Sequence, residues 1–459
     1  MKVHRATWHL LLGALALPAA ASAQGFGLNE IGSCAIARGF ANTSAPCRDA
    51  SMVYWNPAAL TTLDGSNGLV GVSMIAVKAD FTQDTTGRLY EGDVPAEFPP
   101  HLFWGRHAKE SRWAFGLGAY VPYGLTSQWG DDFPGRFSAL KASIQTIYVQ
   151  PTVAYQITPA WSVGVGPIVG HSSLELKQAV DLSEQALTPT LTFGQLGIPR
   201  GTEFARLSAT GDDFGYGFTA GLHGQVNADW QFGARYLSKV DFEYEGDADF
   251  TQVETGLVFP TNIPGTPFTA GMPIDAVVAG SFADGEALGP QTVGTRITHP
   301  SQVQAGFTYT GFENTMLTAE YVWLGWKAFK ELPVNLSAAG ERVLIEDYNN
   351  SSGIRLAADH RLQNGWALRL GTTAAASAAP AETVTPLLPE QDRYTFNLGA
   401  GIPLTSRFAL DLAYAYVGTW GSRGRIQERE SRDITAEQLN TGSYRLKANI
   451  LSLSLSATY

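Results

Sequence analysis

The chain has 459 residues, 44% hydrophobic and 16% charged, with a formal net charge of −11. Its basic residues form no stripe or patch, which argues against nucleic acid as a partner. Past the first residues no run of 18 apolar residues occurs, which excludes a membrane-spanning helix. The 49 glycines, 17 tyrosines and mean hydropathy of −0.05 fit a chain that meets lipid with every second residue.

The chain starts with Lys2 and Arg5, an apolar run from Trp8 to Leu17, and Ala21-Ser22-Ala23. A basic start, a short apolar core and small residues predict a secretory signal peptide over 1–23. Residues 24–65 do not alternate and read as a separate N-terminal block, too polar to face lipid. It holds the only cysteines, Cys34 and Cys47. An exported protein passes through an oxidising compartment, so the pair is predicted to form a disulfide. No neighbouring ligands support a metal, and no cofactor is expected. Asn56-Pro57-Ala58 has the order of a helix N-cap followed by proline at the first helical position. The same three residues are candidates for gating.

From about Leu69 a period of two persists, predicting fourteen strands near 68–81, 100–107, 111–123, 143–156, 160–174, 214–226, 230–245, 300–310, 315–329, 353–361, 365–376, 392–402, 406–419 and 443–459. In the last strand Leu451, Leu453, Leu455, Ala457 and Tyr459 share one face, and Ser452, Ser454, Ser456 and Thr458 the other. So long an apolar edge is an aggregation hazard unless it closes on the first strand. The connections alternate too. Tight turns lie near His107–Ser111, Thr158–Pro159, Asn227–Asp229, Gly311–Asn314, Gln363–Gly365 and Pro403–Thr405, with long loops between them, the longest over 175–213 and 246–299. Short periplasmic turns alternating with long outer loops mark an all-β membrane protein, a 14-stranded antiparallel barrel over 66–459 in the bacterial outer membrane. A lumen of that width needs filling, and residues 24–65 are the natural plug.

Two stretches stand out. In Val121-Pro122-Tyr123-Gly124, proline removes a ladder donor and glycine weakens the strand, so the third strand is expected to end or bend there. The loop over 246–299 carries Phe250, Leu257, Val258, Phe259, Phe268 and Met272, more apolar surface than solubility allows; it packs on itself or holds a greasy ligand. Enzyme signatures are poor. Ser138 and Lys141 match S-x-x-K without a K-T-G triplet, and His171-Ser172 is the only hint of a barrel lipase.

With Gly27-Leu28-Asn29-Glu30, Asn56-Pro57-Ala58, Tyr123-Gly124-Leu125, Phe214-Gly215-Tyr216-Gly217 and Pro389-Glu390-Gln391-Asp392-Arg393 in this order, the chain resembles the FadL family of outer-membrane channels for long-chain fatty acids and related hydrophobic compounds. The resemblance implies an N-terminal hatch, ligand capture by the third and fourth outer loops, and lateral exit where the third strand is kinked. It also implies a basic residue from the fifth strand against the fatty-acid carboxylate. Here that stretch reads Gly170-His171-Ser172-Ser173-Leu174-Glu175, without arginine, leaving Lys327 and Lys330 as candidate substitutes. The expected function is passive transport of long-chain fatty acids or similar hydrophobic molecules by a monomer in contact with outer-membrane lipid. The alternatives are a transporter specific for neutral hydrocarbons and a lipid-modifying enzyme.

Overall fold

The computed structural model describes residues 25–420, 422–424 and 441–459. The predicted signal peptide and most of the last long loop, 420–442, lie outside the described residues. Alternation builds the wall: along Gly442–Thr458 Leu451 and Leu453 are exposed toward the lipid side while Ser452 and Ser454 are buried. Fourteen strands follow one another, each antiparallel to the next. They are β1 Gly65–Gln83, β2 Pro100–His107, β3 Trp113–Gln128, β4 Lys141–Thr158, β5 Trp161–Asp181, β6 Glu203–Gln225, β7 (Trp230–Leu237 and Val240–Gln252), β8 (Gln291–His299 and Gln302–Phe312), β9 Thr315–Leu324, β10 Ser351–Arg361, β11 Ala367–Ala375, β12 Arg393–Pro403, β13 Phe408–Thr419 and β14 Gly442–Thr458. β14 pairs with β1 from Asn67↔Thr458 to Gln83↔Gly442, so the sheet closes and the apolar edge disappears.

Several boundaries differ from the sequence reading; the strand expected over 315–329 ends at Leu324. β3 does not end at residue 123 but runs to Gln128. The expected strand over 230–245 is interrupted at Ser238–Lys239, and β8 is interrupted beside it at Pro300–Ser301, where proline has no N–H to donate. The loop expected over 175–213 is shorter, because β5 and β6 continue to Asp181 and from Glu203. The one over 246–299 is likewise confined to 253–290. Above the bilayer both faces of a hairpin meet water, so pairing persists without the alternation that marks a strand in lipid.

Residues 25–64 lie within the ring and are buried almost throughout. They form two short helices, Ser33–Ala37 and Met52–Trp55, and a 3₁₀ turn, Pro57–Thr62. Cys34 and Cys47 are joined, with Cα atoms 6.3 Å apart. The block is tied to wall strands on every side. Glu320 of β9 accepts the N–H groups of Asn42 (3.1 Å), Thr43 (2.7 Å) and Ser44 (2.8 Å). Arg355 of β10 donates to Phe40 O and Asn29 Oδ1, Asn397 of β12 to Ile36 O, and Gln150 of β4 to Val53 O. Buried polar groups need such partners, and here wall and block supply them to each other.

Candidate functional site

The wall is incomplete beside Pro122. On the β4 side the ladder absorbs the proline as a bulge, passing from Tyr120↔Tyr148 to Tyr123↔Thr146. On the β2 side pairing ends at Leu102↔Ala119. The edge left open is taken by the start of the N-terminal block: Leu28 N–H donates to Pro122 O (2.8 Å) and Gly124 N–H to Phe26 O (2.9 Å), with Gly27 opposite Tyr123. A three-residue strap thus supplies the ladder partners that a neighbouring strand would give.

Val121 to Gly124 therefore sit at this gap, and Tyr123 points inward, wholly buried. Its hydroxyl donates to Pro300 O (2.8 Å) and accepts from Gln302 (3.0 Å). Phe26 packs edge-on against Tyr123, His299, Trp326 and Phe329, at ring distances of 4.8–6.1 Å. The strap's other end is anchored by the Pro389–Arg393 motif. Gly25 N–H donates to Glu390 (2.5 Å), Arg393 donates to Gly25 O (3.3 Å), and Glu390 also accepts from Ala378 and Ala379. Glu346 of the neighbouring loop lies close enough that burial, then the Glu390 charge, push its carboxyl up to about 8.

Phe26 also borders a cleft of about 690 Å³, counting the space at its mouth. Its walls are apolar: Leu174 and Leu176 of β5, Ile144 of β4, Ile297 of β8, and Leu387 and Leu388 of the loop before β12. None of its lining residues is a lysine, arginine or histidine. Glu175 borders it, but that carboxylate is held by Lys141 (2.6 Å) and Lys177 (3.2 Å). The two-residue period sets Glu175, Lys141 and Lys177 on the face opposite Leu174, Leu176 and Ile144. The lining suits an apolar occupant.

The other sequence candidates lie elsewhere. Asn56 caps the turn by accepting Ala58 N–H (3.2 Å), and its amide donates to Thr43 O and to Leu222 O of β6. Pro57 and Ala58 press on Gly164 and Gly221, where a Cβ would meet them at 2.5 and 2.9 Å. Leu257, Phe259, Phe268 and Met272 pack with Leu182, Phe193 and Phe204 in a separate outer cluster, Val258 is exposed, and Phe250 packs with Leu207 and Ala248. None of these loop residues lines the cleft. Lys327 is exposed and Lys330 pairs with Asp347 (2.9 Å). The cleft residues were missed because they come from many segments. The usable signal was leucine and isoleucine at inward positions of β4 and β5, where a wet lumen would carry polar residues.

Two serine–histidine pairs bear on the enzyme alternative. His171 bonds Asp212 (3.1 Å) while Ser172 bonds Thr146 and Tyr244, so the two neighbours face apart. Ser454 and His101 do meet (2.9 Å), buried between β14 and β2, but Ser454 also bonds Ser33, and His101 Nδ1 has no partner among the described residues to orient the ring. A pair without its third member, shut under the N-terminal block, is a packing contact.

The family model described as "Outer membrane protein transport protein (OMPP1/FadL/TodX)" matches residues 14–459. A "47 kDa outer membrane protein" of Pasteurella multocida is 26% identical over 91% of this chain and 92% of its own. The "Long-chain fatty acid transport protein" of Escherichia coli K12 is 22% identical over 86% and 87%. Among solved structures, a Pseudomonas aeruginosa FadL homologue superposes with a TM-score of 0.79 at 20% identity, covering 95% of this chain and all of that one. The Pseudomonas putida toluene transporter TodX superposes at 0.68 with 16% identity over 95% and 100%.

Proposed function

Since this chain belongs to the OMPP1/FadL/TodX family of outer membrane transport proteins, we propose that it takes up hydrophobic compounds with neutral head groups, alongside fatty acids, and releases them sideways beside β3. The observation that carries the reading is the double role of Phe26. Its ring borders the apolar cleft, and its backbone closes the wall gap. A molecule that displaces the ring pulls on the segment that seals the exit, so occupancy and opening are linked. Lateral release spares an apolar tail from crossing the polar contacts between block and wall, where it would meet groups that prefer water or each other.

The head-group preference follows from the lining. A carboxylate brought into a cleft without a cation is penalised for losing water, and it enters as the acid or not at all; an ester or hydrocarbon meets no such penalty. The names of the relatives, fatty-acid transport in one and toluene transport in another, span both kinds of cargo. The test compares lauric acid with methyl laurate in a binding assay on the purified protein. The ester should bind at least as tightly. A strong preference for the free acid, lost when Lys327 or Lys330 is neutralised, would reveal a cationic clamp and sink the head-group reading.

A further inference from the structure

The wall has a second discontinuity, on the other side of β3–β6. The ladder between β6 and β7 stops at Thr219↔Leu237 and resumes at Asp212↔Glu245. Six residues of β6, 213–218, and seven of β7, 238–244, lie between with no ladder pair. A bulge inserts one extra residue and pairing resumes at once; this interruption spans about three repeats of the pleat. A backbone bond and two side-chain bonds finish its ends. Ser238 N–H donates to Phe218 O and Phe218 N–H to Ser238 Oγ, each at 2.9 Å, and Glu243 N–H donates to Asp213 Oδ2 at 2.7 Å. Between them β7 backs the inner face of β6. A Cβ on Gly215 would meet Val240 at 2.5 Å and Phe242 at 2.8 Å, and one on Gly217 would meet Ser238 Oγ at 2.8 Å. On the outer face Phe214, Tyr216 and Phe218 are exposed to lipid.

We propose that this seam is a second lateral opening for hydrophobic cargo, with Val240 and Phe242 as its plug. Three observations support it. The seam starts on the rung that carries the first gap, since Tyr123↔Thr146, Thr146↔Ser172 and Ser172↔Asp213 are successive partners. The cleft reaches it, because Gly211 and Tyr244, which border the seam's upper end, line the cleft. The two plugs share a neighbour: the His299 ring lies 5.4 Å from Phe26, 4.3 Å from Tyr123 and 4.7 Å from Phe242. A ladder break in a lipid-facing wall is expensive, because hydrocarbon offers no partner to a backbone group. Two breaks at one height, one closed by the Phe26–Leu28 strap and the other by Val240 and Phe242, both next to one apolar cleft, are the arrangement a molecule leaving toward lipid requires. The inference rests on the transport reading.

The test uses the intact protein in outer-membrane vesicles and a photoreactive dodecyl diazirine. Label is expected on Leu174 or Leu176 in the cleft, on Phe26, and on Val240 or Phe242. Label on the cleft and Phe26 alone overturns the second opening and leaves the transport reading standing; an unlabelled cleft overturns both. Transport then separates the routes. A Gly27→Cys, Tyr123→Cys disulfide should lower dodecane uptake yet leave a residue. Gly217→Cys with Ser238→Cys, which locks the seam, should remove that residue, and Phe242→Ala should raise it. Complete loss on sealing the first gap, or a seam lock without effect in either background, overturns the proposal. Wild type under the same reductant corrects for the native Cys34–Cys47 bridge, and heat-modifiable gel mobility reports whether each variant has folded.

Discussion

The N-terminal block and the outer loop cluster are both packed regions of one barrel, and the block adds many buried polar bonds to its apolar packing. The block also meets the wall through polar bonds: Glu320 with three backbone N–H groups, Arg235 with Tyr54 O, Asn397 with Ile36 O. The loops over 182–202 and 253–290 meet through side chains such as Phe259, stacked on Phe268 with ring centres 5.4 Å apart, and Ile274 and Leu182, wholly buried. Hydrogen bonds are directional and select one arrangement, whereas apolar packing tolerates several. The difference places the rigid part at the closed end and the adaptable part where a greasy molecule arrives from outside.

The largest expected effect comes from Glu320→Ala. It leaves the N–H groups of Asn42, Thr43 and Ser44 buried without an acceptor, a loss of about 3–5 kcal/mol in urea unfolding, as for other broken buried charge contacts. A loss below about 1 kcal/mol would mean that the block is not held by polar bonding, and the contrast with the loops would fail. Phe259→Leu is milder. It removes the aromatic stack but keeps an apolar filler, about 1 kcal/mol, and hydrogen exchange should quicken only within 182–205 and 253–290. Spread of that quickening into β1 or β14 would show the two regions to be one cooperative unit. The smallest effect is one of pH. Burial works against the Asp275 charge, but hydrogen bonds from the Thr255 side chain and from the Thr255 and Gly256 N–H groups outweigh it and hold the carboxyl below its usual 3.8. A depressed acid stabilises above its unfolded value and loses that contribution as pH falls through the lowered one. Exchange in the loop cluster should therefore stay slow down to about pH 4 and quicken below it. Asp275→Asn should flatten that dependence, and an unchanged profile would remove Asp275 as the loops' polar fastening.

The wall was legible in the sequence because lipid imposes a period of two on every strand that crosses it. Leu451 to Tyr459 and Trp113 to Ala119 could hardly be read otherwise. The breaks were less so. Ser238-Lys239 disturbs the period by two residues inside a long alternating stretch, and nothing local distinguishes it from a strand with a polar pair. Pro122 gave the gap, but not that residues 26–28 would fill it, since that contact joins segments almost a hundred positions apart. Among the site candidates, the loop phenylalanines were found by composition and pack mainly on one another. The cleft is assembled from β3, β4, β5, β6, β7, β8, the N-terminal strap and two loops, and such convergence is a property of barrel closure that no single stretch records.

The serines inside the closing seam bear on the order of events as the chain folds. Ser33 of the N-terminal block bonds Ser452 (2.8 Å) and Ser454 (2.7 Å) of β14, and Ser73 of β1 bonds both Ser452 (2.9 Å) and Glu30 O (3.0 Å). First strand, last strand and N-terminal block therefore meet at one point, from which the barrel's longest-range pairing, β1 with β14, is also made. A block arriving after closure would have to thread through a finished ring. The shared bonds favour residues 25–64 being gathered against β1 before Gly442–Thr458 closes on it, so that the cylinder is sealed around them rather than filled afterwards.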